Sequence, residues 1–166
     1  IIKQNEGFIN VYSEPGKGTT FRIYLPRHQG DIEKETEEAA GSSPRGKGET
    51  LLLVEDEPEI MKMTRAMLEK LGYVVLPTTS PGEAIRLAEE HAAEIQLLLT
   101  DVIMPGMNGK DLSSGLAETC PELKTLFMSG YTANVIAHHG VLDQGVNFIQ
   151  KPFSMKELAA KISRIL

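Results

Sequence analysis

The sequence predicts an α/β fold for residues 50–166, in which a doubly wound parallel sheet of five strands is covered by five helices. Apolar runs suited to buried strands recur five times after residue 50, and segments with the helical spacing of apolar residues separate them. Strands that alternate with helices form a parallel sheet with helices on both faces. A change in composition before residue 50 separates this region from an N-terminal β-hairpin.

The first helix is expected to begin at Pro58 and to stop at Gly72. Its inward face is predicted to consist of Ile60, Met63, Met67 and Leu71. Helices are also expected near 109–119 and 132–139. The apolar runs that predict the five strands lie at 51–54, 73–76, 95–99, 125–128 and 146–149.

Two helices begin with sequences typical of a capping box, in which a Ser and a Glu three residues later satisfy each other's backbone N–H groups. The first pair is Ser80 and Glu83, and the second is Ser154 and Glu157. The last helix is expected to carry its apolar residues inward; these are Leu158, Ile162 and Ile165.

Residues 1–27 and 28–49 form two further segments. The stretch GFINVYSEPGKGTTFRIYLP alternates apolar and polar residues on both sides of a Pro/Gly turn, which predicts a β-hairpin. An isolated hairpin is marginal in water, so this one is expected to belong to a larger sheet. Residues 28–49 have almost no large apolar side chains and many charges, which predicts a flexible linker.

Composition restricts the functions open to the 166-residue chain. Its formal net charge of −6 argues against binding to nucleic acid, which requires a basic surface. No apolar stretch approaches the length of a membrane-spanning helix, so no direct membrane contact is expected. The single cysteine, Cys120, excludes an intramolecular disulfide and fits a reducing compartment. Because the chain begins without Met or a signal peptide, we expect a cytoplasmic segment of a longer protein.

Polar side chains follow four of the predicted strands at their carboxyl ends. Glu55 and Asp56 follow the first strand, Asp101 the third, Ser129 the fourth and Lys151 the fifth. Parallel strands end at one edge of the sheet, where open α/β sheets bind ligands, so these groups are expected to converge. Three neighbouring carboxylates need a cation, and hard oxygen ligands select Mg²⁺ or Mn²⁺. The set suits phosphoryl transfer to an Asp nucleophile, with Lys and Ser binding the phosphoryl oxygens.

Four motifs occur in order along residues 50–166: LLLVEDEP, LLLTDVIMPGMNG, FMSGY and FIQKPF. Together they resemble the receiver domain of two-component response regulators. The resemblance implies a flavodoxin-like sheet with strand order 2-1-3-4-5 and a function in a phosphorelay. It implies that Asp101 accepts a phosphoryl group from a phosphohistidine. Asp56 is then a direct Mg²⁺ ligand, Glu55 supports the metal through water, and the backbone carbonyl of Ile103 is a further ligand.

The same resemblance assigns roles to residues of the last two strands. Lys151 contacts the phosphoryl group, Ser129 is the switch hydroxyl, and Pro152 follows a cis peptide bond. Phe148 stands at the position of the switch aromatic residue, where a Tyr would also carry a hydroxyl. Glu55 stands where many relatives have Asp, which lengthens the reach of this carboxylate.

Two positions bear on the lifetime of the phosphorylated state. In receiver domains the residues two after the phosphoacceptor and two after the switch hydroxyl flank the path of the attacking water. Here they are Ile103 and Tyr131, and neither offers a carboxylate or an amide that could orient water. Loss of the phosphoryl group needs a water in line with the bond that breaks, so slow self-dephosphorylation is predicted.

The N-terminal stretch GFINVYSEPGKGTTFRIYLP resembles the closing strands of a histidine-kinase ATP-binding domain. With the receiver motifs it implies the C-terminal part of a hybrid sensor histidine kinase, a class that is often anchored in a membrane. The expected partners are the kinase domain of the same protein or a histidine phosphotransfer protein. Kinase activity is not expected of this chain itself, because the phosphoacceptor His helix and the motifs that build the nucleotide pocket are missing from it.

Two other functions fit the sequence less well than the receiver. A phosphatase of the haloacid-dehalogenase type also uses a nucleophilic Asp, but it needs a second Asp two residues later, where this chain has Ile103. A binding module with a degenerate site is disfavoured because the acidic and basic positions are all filled. The histidines show no metal-ligand pattern; they are His28, His91, His138 and His139.

Overall fold

The computed structural model describes residues 2–26, 44–130 and 146–166. By their internal contacts, the residues divide into two compact units, Ile1–Ala39 and Ala40–Leu166. The predicted helix at 132–139, Tyr131 and most of the predicted linker lie outside the described residues.

The first unit contains the predicted β-hairpin. β1 (Phe8–Glu14) pairs antiparallel with β2 (Gly18–Tyr24), and a short 3-10 helix over Lys3–Asn5 precedes them. Gly16 in the turn has a φ of 76°, a conformation that glycine adopts without steric cost. Two strands alone bury little apolar surface. Large side chains on both faces are accordingly more than half exposed, namely Phe8, Val11, Tyr12, Phe21, Ile23 and Tyr24.

The second unit contains the predicted parallel sheet. Its strands lie in the order β4-β3-β5-β6-β7, and every neighbouring pair is parallel. Counted from the first strand of this unit, the order is 2-1-3-4-5, which confirms the doubly wound topology. The strands are β3 (Thr50–Val54), β4 (Val74–Thr78), β5 (Ile95–Asp101), β6 (Lys124–Ser129) and β7 (Phe148–Gln150).

Four of the five predicted helices lie in the described part of the chain. They are α1 (Pro58–Lys70), α2 (Pro81–Glu90), α3 (Gly109–Thr119) and α4 (Met155–Ile165). In the described ranges no helix combines the length and the apolar character needed to cross a membrane.

Each face of the sheet has its own apolar core because successive side chains of a strand point to opposite faces. In β3, Leu51 and Leu53 pack with residues of α1 and α4, whereas Leu52 and Val54 pack with residues of α2 and α3. All four side chains are fully buried. The central strands are therefore apolar on both faces, and polar groups are concentrated where the strands end.

The predicted inward face of α1 is partly wrong. Thr64 and Leu68 are fully buried, and Leu71 just after the helix is nearly so, but Met63 is 51% exposed. Thr64, Leu68 and Leu71 follow the i, i+4, i+7 spacing of one helical face. Sequence reasoning missed this face because Thr64 is polar and was not counted as a core residue.

The two predicted capping boxes have different outcomes. Ser154 and Glu157 form the box, since Ser154 Oγ accepts a bond from the Glu157 N–H and Glu157 Oε2 accepts one from the Ser154 N–H. At α2 the prediction is wrong: within the described residues, the Ser80 side chain makes no capping hydrogen bond. The Thr78 hydroxyl instead donates to Glu83 Oε2 at 2.8 Å and accepts the Ser80 N–H at 3.1 Å.

The last residues of the predicted linker are part of the second unit and are hydrogen-bonded within it. The Gly46 N–H donates to Leu71 O at 2.8 Å, and the Gly48 N–H donates to Gly72 O at 3.2 Å. Gly72 has a φ of +94°, and a Cβ there would lie 2.9 Å from Gly46 O, so glycine allows this close approach. The ordered structure of this unit therefore begins before residue 50.

We predict that Ser154→Ala lowers the free energy of unfolding by about 1 kcal/mol at neutral pH, because it removes a capping hydrogen bond. Ser80→Ala is the matched control and should change it by only a few tenths, since Ser80 is bonded through its backbone. Urea denaturation measures both values. Equal losses in the two variants would contradict the difference in capping.

The cost of Ser154→Ala should also depend on pH. Hydrogen bonds from the Ser154 backbone and hydroxyl lower the pKa of Glu157 in the folded state. A lowered folded pKa contributes stability above the unfolded pKa and loses it as the pH falls through the folded value. The difference between Ser154→Ala and the unmodified protein should therefore shrink below about pH 4.

Candidate functional site

The five predicted site residues meet in one cleft at the carboxyl ends of the parallel strands. Glu55 and Asp56 follow β3, Asp101 ends β5, Ser129 ends β6 and Lys151 follows β7. The cleft has a volume of about 340 Å³, and Ile60, Ile103 and Gly130 also contribute to its lining. The predicted convergence is confirmed. It follows from the parallel topology, which brings the ends of four separate strands to one edge.

Lys151 forms the central ionic contact of the cleft. Its Nζ lies 2.5 Å from Glu55 Oε2 and 2.8 Å from Asp101 Oδ2. The Glu55 side chain is 1% exposed, and those of Lys151 and Asp101 are 15% and 17% exposed. Contacts shielded in this way are stronger than an ion pair at the surface. Removing Lys151 would be costly because it would leave the Glu55 carboxylate buried without a cation.

Burial and charge act in opposite directions on the pKa values of this pair. Burial raises the pKa of Glu55 above its ordinary value, although the Lys151 ammonium beside it works against that shift. For Lys151, burial alone would lower the pKa, but the hydrogen bonds and charges of Asp101 and Glu55 outweigh it and raise the pKa. Lys151 is therefore a fixed cation at neutral pH.

The acidic residues of the cleft fit a divalent cation. Glu55, Asp56 and Asp101 each offer a carboxylate oxygen, and these atoms lie within 4.8 Å of one another. With Lys151 as the nearby cation, the ionised set still has an excess of negative charge. Carboxylate oxygens are the ligands that Mg²⁺ prefers, and Mg²⁺ retains several waters beside one or two carboxylates.

Further hydrogen bonds hold the phosphoacceptor candidate Asp101 at its second carboxylate oxygen and at its backbone carbonyl. The Val102 N–H donates to Asp101 Oδ1 at 2.7 Å, and the Thr100 hydroxyl donates to the Asp101 carbonyl at 3.0 Å. A Cβ at Gly109, the first residue of α3, would lie 2.2 Å from that carbonyl oxygen. Sequence reasoning missed Thr100 and Gly109. The signal for Gly109 was a glycine at a helix start, where other residues have a higher helix propensity.

The other predicted positions are placed as follows. Ser129 is 2% exposed, and its carbonyl accepts the Lys151 N–H at 2.7 Å. The peptide bond between Lys151 and Pro152 is cis, as expected. Phe148 is partly buried against Val102 and Phe127. Ile103 lines the cleft and is 56% exposed.

A larger cleft of about 820 Å³ lies at the opposite edge of the sheet, beside Tyr73, Cys120 and Lys124. Lys124 Nζ is bonded there to the carbonyl oxygens of Ile165 and Leu166, so it caps the end of α4. Cys120 is buried in an apolar core. The acidic cleft is the smaller of the two, but it is the one that combines three carboxylates, a hydroxyl and an ammonium group.

Comparison with known families agrees with the geometry. Residues 51–163 match the model of the response regulator receiver domain. The chain belongs to this family. Receiver domains accept a phosphoryl group in two-component signalling, and this phosphoacceptor role comes to the chain with its family.

Curated relatives of this receiver include a kinase and a short regulator from Brucella abortus. The chain is 38% identical over 175 residues to the sensor kinase CckA, with all of the chain but 18% of that protein covered. It is 32% identical over 117 residues to the response regulator receiver protein CpdR, with 70% of the chain and 95% of CpdR covered. The chain thus spans less than a fifth of the sensor kinase and corresponds to nearly all of CpdR.

Solved structures give the same fold. The receiver domain of the hybrid histidine kinase CckA is 33% identical with a TM-score of 0.54, and the match covers 69% of this chain and 96% of that domain. The receiver domain of the sensor histidine kinase PA1611 from Pseudomonas aeruginosa is 24% identical with a TM-score of 0.62, covering 71% of this chain and 97% of that one. That protein has a magnesium ion coordinated in its active site cleft.

We predict that Lys151→Met destabilises the metal-free receiver by about 3 kcal/mol at pH 7, because it leaves Glu55 buried without its cation. The loss should be smaller at pH 5. Without the ammonium, burial raises the pKa of Glu55 further, so the folded state binds more protons than the unfolded state and gains stability as the pH falls.

The matched control for this prediction is Lys62→Met. Lys62 pairs with Glu59 at 3.0 Å on the surface, where the two side chains are 66% and 82% exposed. Lys62→Met should lower the free energy of unfolding by at most about 1 kcal/mol at either pH. Urea denaturation in EDTA at pH 5 and pH 7 measures both variants, and a pH-independent cost for Lys151→Met would show that Glu55 is not the group involved.

Proposed function

We propose that Asp101 is the phosphoacceptor of this receiver, and that the phosphoryl donor is a phosphohistidine on a histidine kinase domain of the same protein or on a histidine phosphotransfer protein. The observation that carries the proposal is the position of the Asp101 carboxylate. Its oxygen lies within 4.8 Å of carboxylate oxygens of Glu55 and Asp56, which could hold a cation with it, and its Oδ2 lies 2.8 Å from Nζ of Lys151. A nucleophile beside both a cation site and an ammonium group suits attack on an anionic phosphoryl group.

In the proposed reaction a carboxylate oxygen of Asp101 attacks phosphorus. A P–O bond forms while the P–N bond to the donor imidazole breaks, and its electron pair leaves on the imidazole nitrogen, which takes up a proton. Lys151 and Ser129 hold phosphoryl oxygens as negative charge redistributes among them. The Lys151 ammonium already contacts Asp101 and needs little reorganisation.

We assign the metal to Mg²⁺, with Mn²⁺ as a substitute because both accept oxygen ligands. Asp56 and Asp101 would bind it directly, Glu55 through water, and Ile103 through its backbone carbonyl. When bound, the cation neutralises the carboxylates and the developing phosphoryl charge. Glu55 suits an outer position because its side chain is 1% exposed, against 17% for Asp101, and its Oε2 is bonded to Lys151.

Ser129 and Phe148 are the proposed switch residues. They lie at the end of β6 and the start of β7, two adjacent strands, and Ser129 pairs with Gln150 across them. Phe148 is only partly buried, against Val102 and Phe127, so it can repack when the Ser129 hydroxyl changes its partner. Because Phe148 lacks a hydroxyl, its positions before and after such repacking would differ only in their packing contacts.

For the whole protein, we infer a hybrid sensor histidine kinase located in the cytoplasm or facing it. The similarity to the sensor kinase CckA covers all of this chain, so it includes the hairpin as well as the receiver. Residues 1–27 would then be the closing strands of the ATP-binding domain, and the linker would join that domain to the receiver. The exposed apolar side chains of the hairpin agree with a sheet that continues in a larger domain.

We predict that phosphoramidate with Mg²⁺ adds one phosphoryl group to the protein and that Asp101→Asn abolishes the addition, because an amide is a poor nucleophile. Asp111→Asn is the matched control: Asp111 is exposed in the first turn of α3, and it should leave the addition unchanged. Intact mass spectrometry measures both, and phosphorylation of Asp101→Asn at the normal level would overturn the assignment.

We also predict a slow loss of the phosphoryl group. Ile103 is exposed at the cleft and cannot hydrogen-bond water with its side chain. Ile103→Asn offers an amide that can orient an attacking water, so it should shorten the lifetime several-fold. Tyr131→Ala tests the second shielding position. The loss is timed by mass spectrometry after removal of phosphoramidate at fixed Mg²⁺, and unchanged lifetimes in both variants would show that shielding is not the cause.

A further inference from the structure

The peptide group between Asp101 and Val102 is held at both of its polar atoms. Its carbonyl oxygen accepts the Thr100 hydroxyl at 3.0 Å and faces Gly109. Its N–H donates to Asp101 Oδ1 at 2.7 Å and to Met128 O in β6 at 2.9 Å. One peptide plane therefore joins the start of α3, the neighbouring strand β6 and the Asp101 carboxylate.

We propose that Thr100 and Gly109 are positioning residues, which fix this peptide plane and so orient the Asp101 carboxylate for phosphoryl transfer. The inference rests on the proposed role of Asp101 as phosphoacceptor. It adds two residues that touch neither the phosphoryl group nor the metal and that act through the backbone of Asp101.

The planarity of the peptide group makes the coupling direct. The carbonyl oxygen and the N–H belong to one rigid plane, so a force that moves the oxygen also turns the N–H. A Cβ at Gly109 would lie 2.2 Å from the Asp101 oxygen and 3.2 Å from its carbonyl carbon. Either the peptide or α3 must then shift, and α3 is tied to the same loop because the Gly109 N–H donates to Val102 O at 2.9 Å.

Thr100 holds the same oxygen with its hydroxyl, and a Cβ at Gly109 would also lie 3.1 Å from Thr100 Cγ2. Its side chain is fully buried, and its hydroxyl is directed to the Asp101 carbonyl and to Met104 Sδ. Replacing this hydroxyl with a methyl group removes the hydrogen-bond donor and places a carbon atom next to the Asp101 carbonyl oxygen. A residue that orients a nucleophile has a large effect, since a misplacement of about 1 Å can cost roughly a hundredfold in rate.

The first test compares two glycines of the same helix. Gly109→Ala should slow phosphorylation of Asp101 by phosphoramidate at least about tenfold at saturating Mg²⁺, as the P–O bond forms and the P–N bond breaks with its electron pair leaving as ammonia. Gly115→Ala is the control, because a Cβ there would meet no described atom within 4 Å. It should leave the rate unchanged.

The second test separates positioning from folding. Thr100→Val should slow phosphorylation several-fold, and Thr100→Ser, which keeps the hydroxyl, should retain most of the rate. In the metal-free protein, the NMR signal of the Val102 N–H reports its two hydrogen bonds, to Asp101 Oδ1 and to Met128 O, and so the orientation of this peptide plane. It should shift upfield in Gly109→Ala and Thr100→Val and stay in place in Thr100→Ser and Gly115→Ala.

The proposal is wrong if folded Gly109→Ala reacts at the normal rate, or if it is slowed while the Val102 signal does not move. Should Gly109→Ala fail to fold, the Thr100 pair decides, and a normal rate in Thr100→Val overturns the proposal. A failure of the phosphoacceptor assignment is recognised separately, since Asp101→Asn would then be phosphorylated normally.

Discussion

The ion pairs of Lys151 with Glu55 and Asp101 are the contact on which the site depends. They join the ends of β3, β5 and β7, which are not all neighbours in the sheet. Without this ammonium the buried cleft would hold only carboxylates, and their repulsion would separate the strand ends or protonate one of the acids. The same ammonium is proposed to hold a phosphoryl oxygen during the transfer to Asp101, so one side chain serves both stability and chemistry.

Two separate apolar cores explain why these charges can be brought together. β3 and the centre of β5 are apolar and buried on both faces, so the charged side chains of the cleft lie where these strands end. Burial there has two effects. It raises the pKa of Glu55, and it reduces the screening of the contact with Lys151. Burial by the core is therefore the common cause of the raised pKa of Glu55 and of its strong contact with Lys151.

The sequence predicted the five strands, the four helices of the described residues and the five residues of the cleft, because hydrophobic periodicity and parallel topology together determine where strands end. It was less informative where a polar group has several partners to choose from. Thr78 takes the place that Ser80 was expected to hold at Glu83. The backbone contacts of Gly46 and Gly109 were also not predicted. Neither position has room for a Cβ, and a residue without a side chain adds nothing to a hydrophobic pattern.

Both oxygens of the Asp101 carboxylate are engaged, and the two partners differ in kind. Oδ2 accepts from Lys151, a long side chain that can follow a phosphoryl group as it arrives. Oδ1 accepts from the Val102 N–H, which is part of a rigid plane fixed by β6, Thr100 and the start of α3. One side of the nucleophile is thus adjustable and the other is fixed. This combination lets the carboxylate keep its direction while charge moves around it, which is the condition under which preorganised groups lower a barrier most.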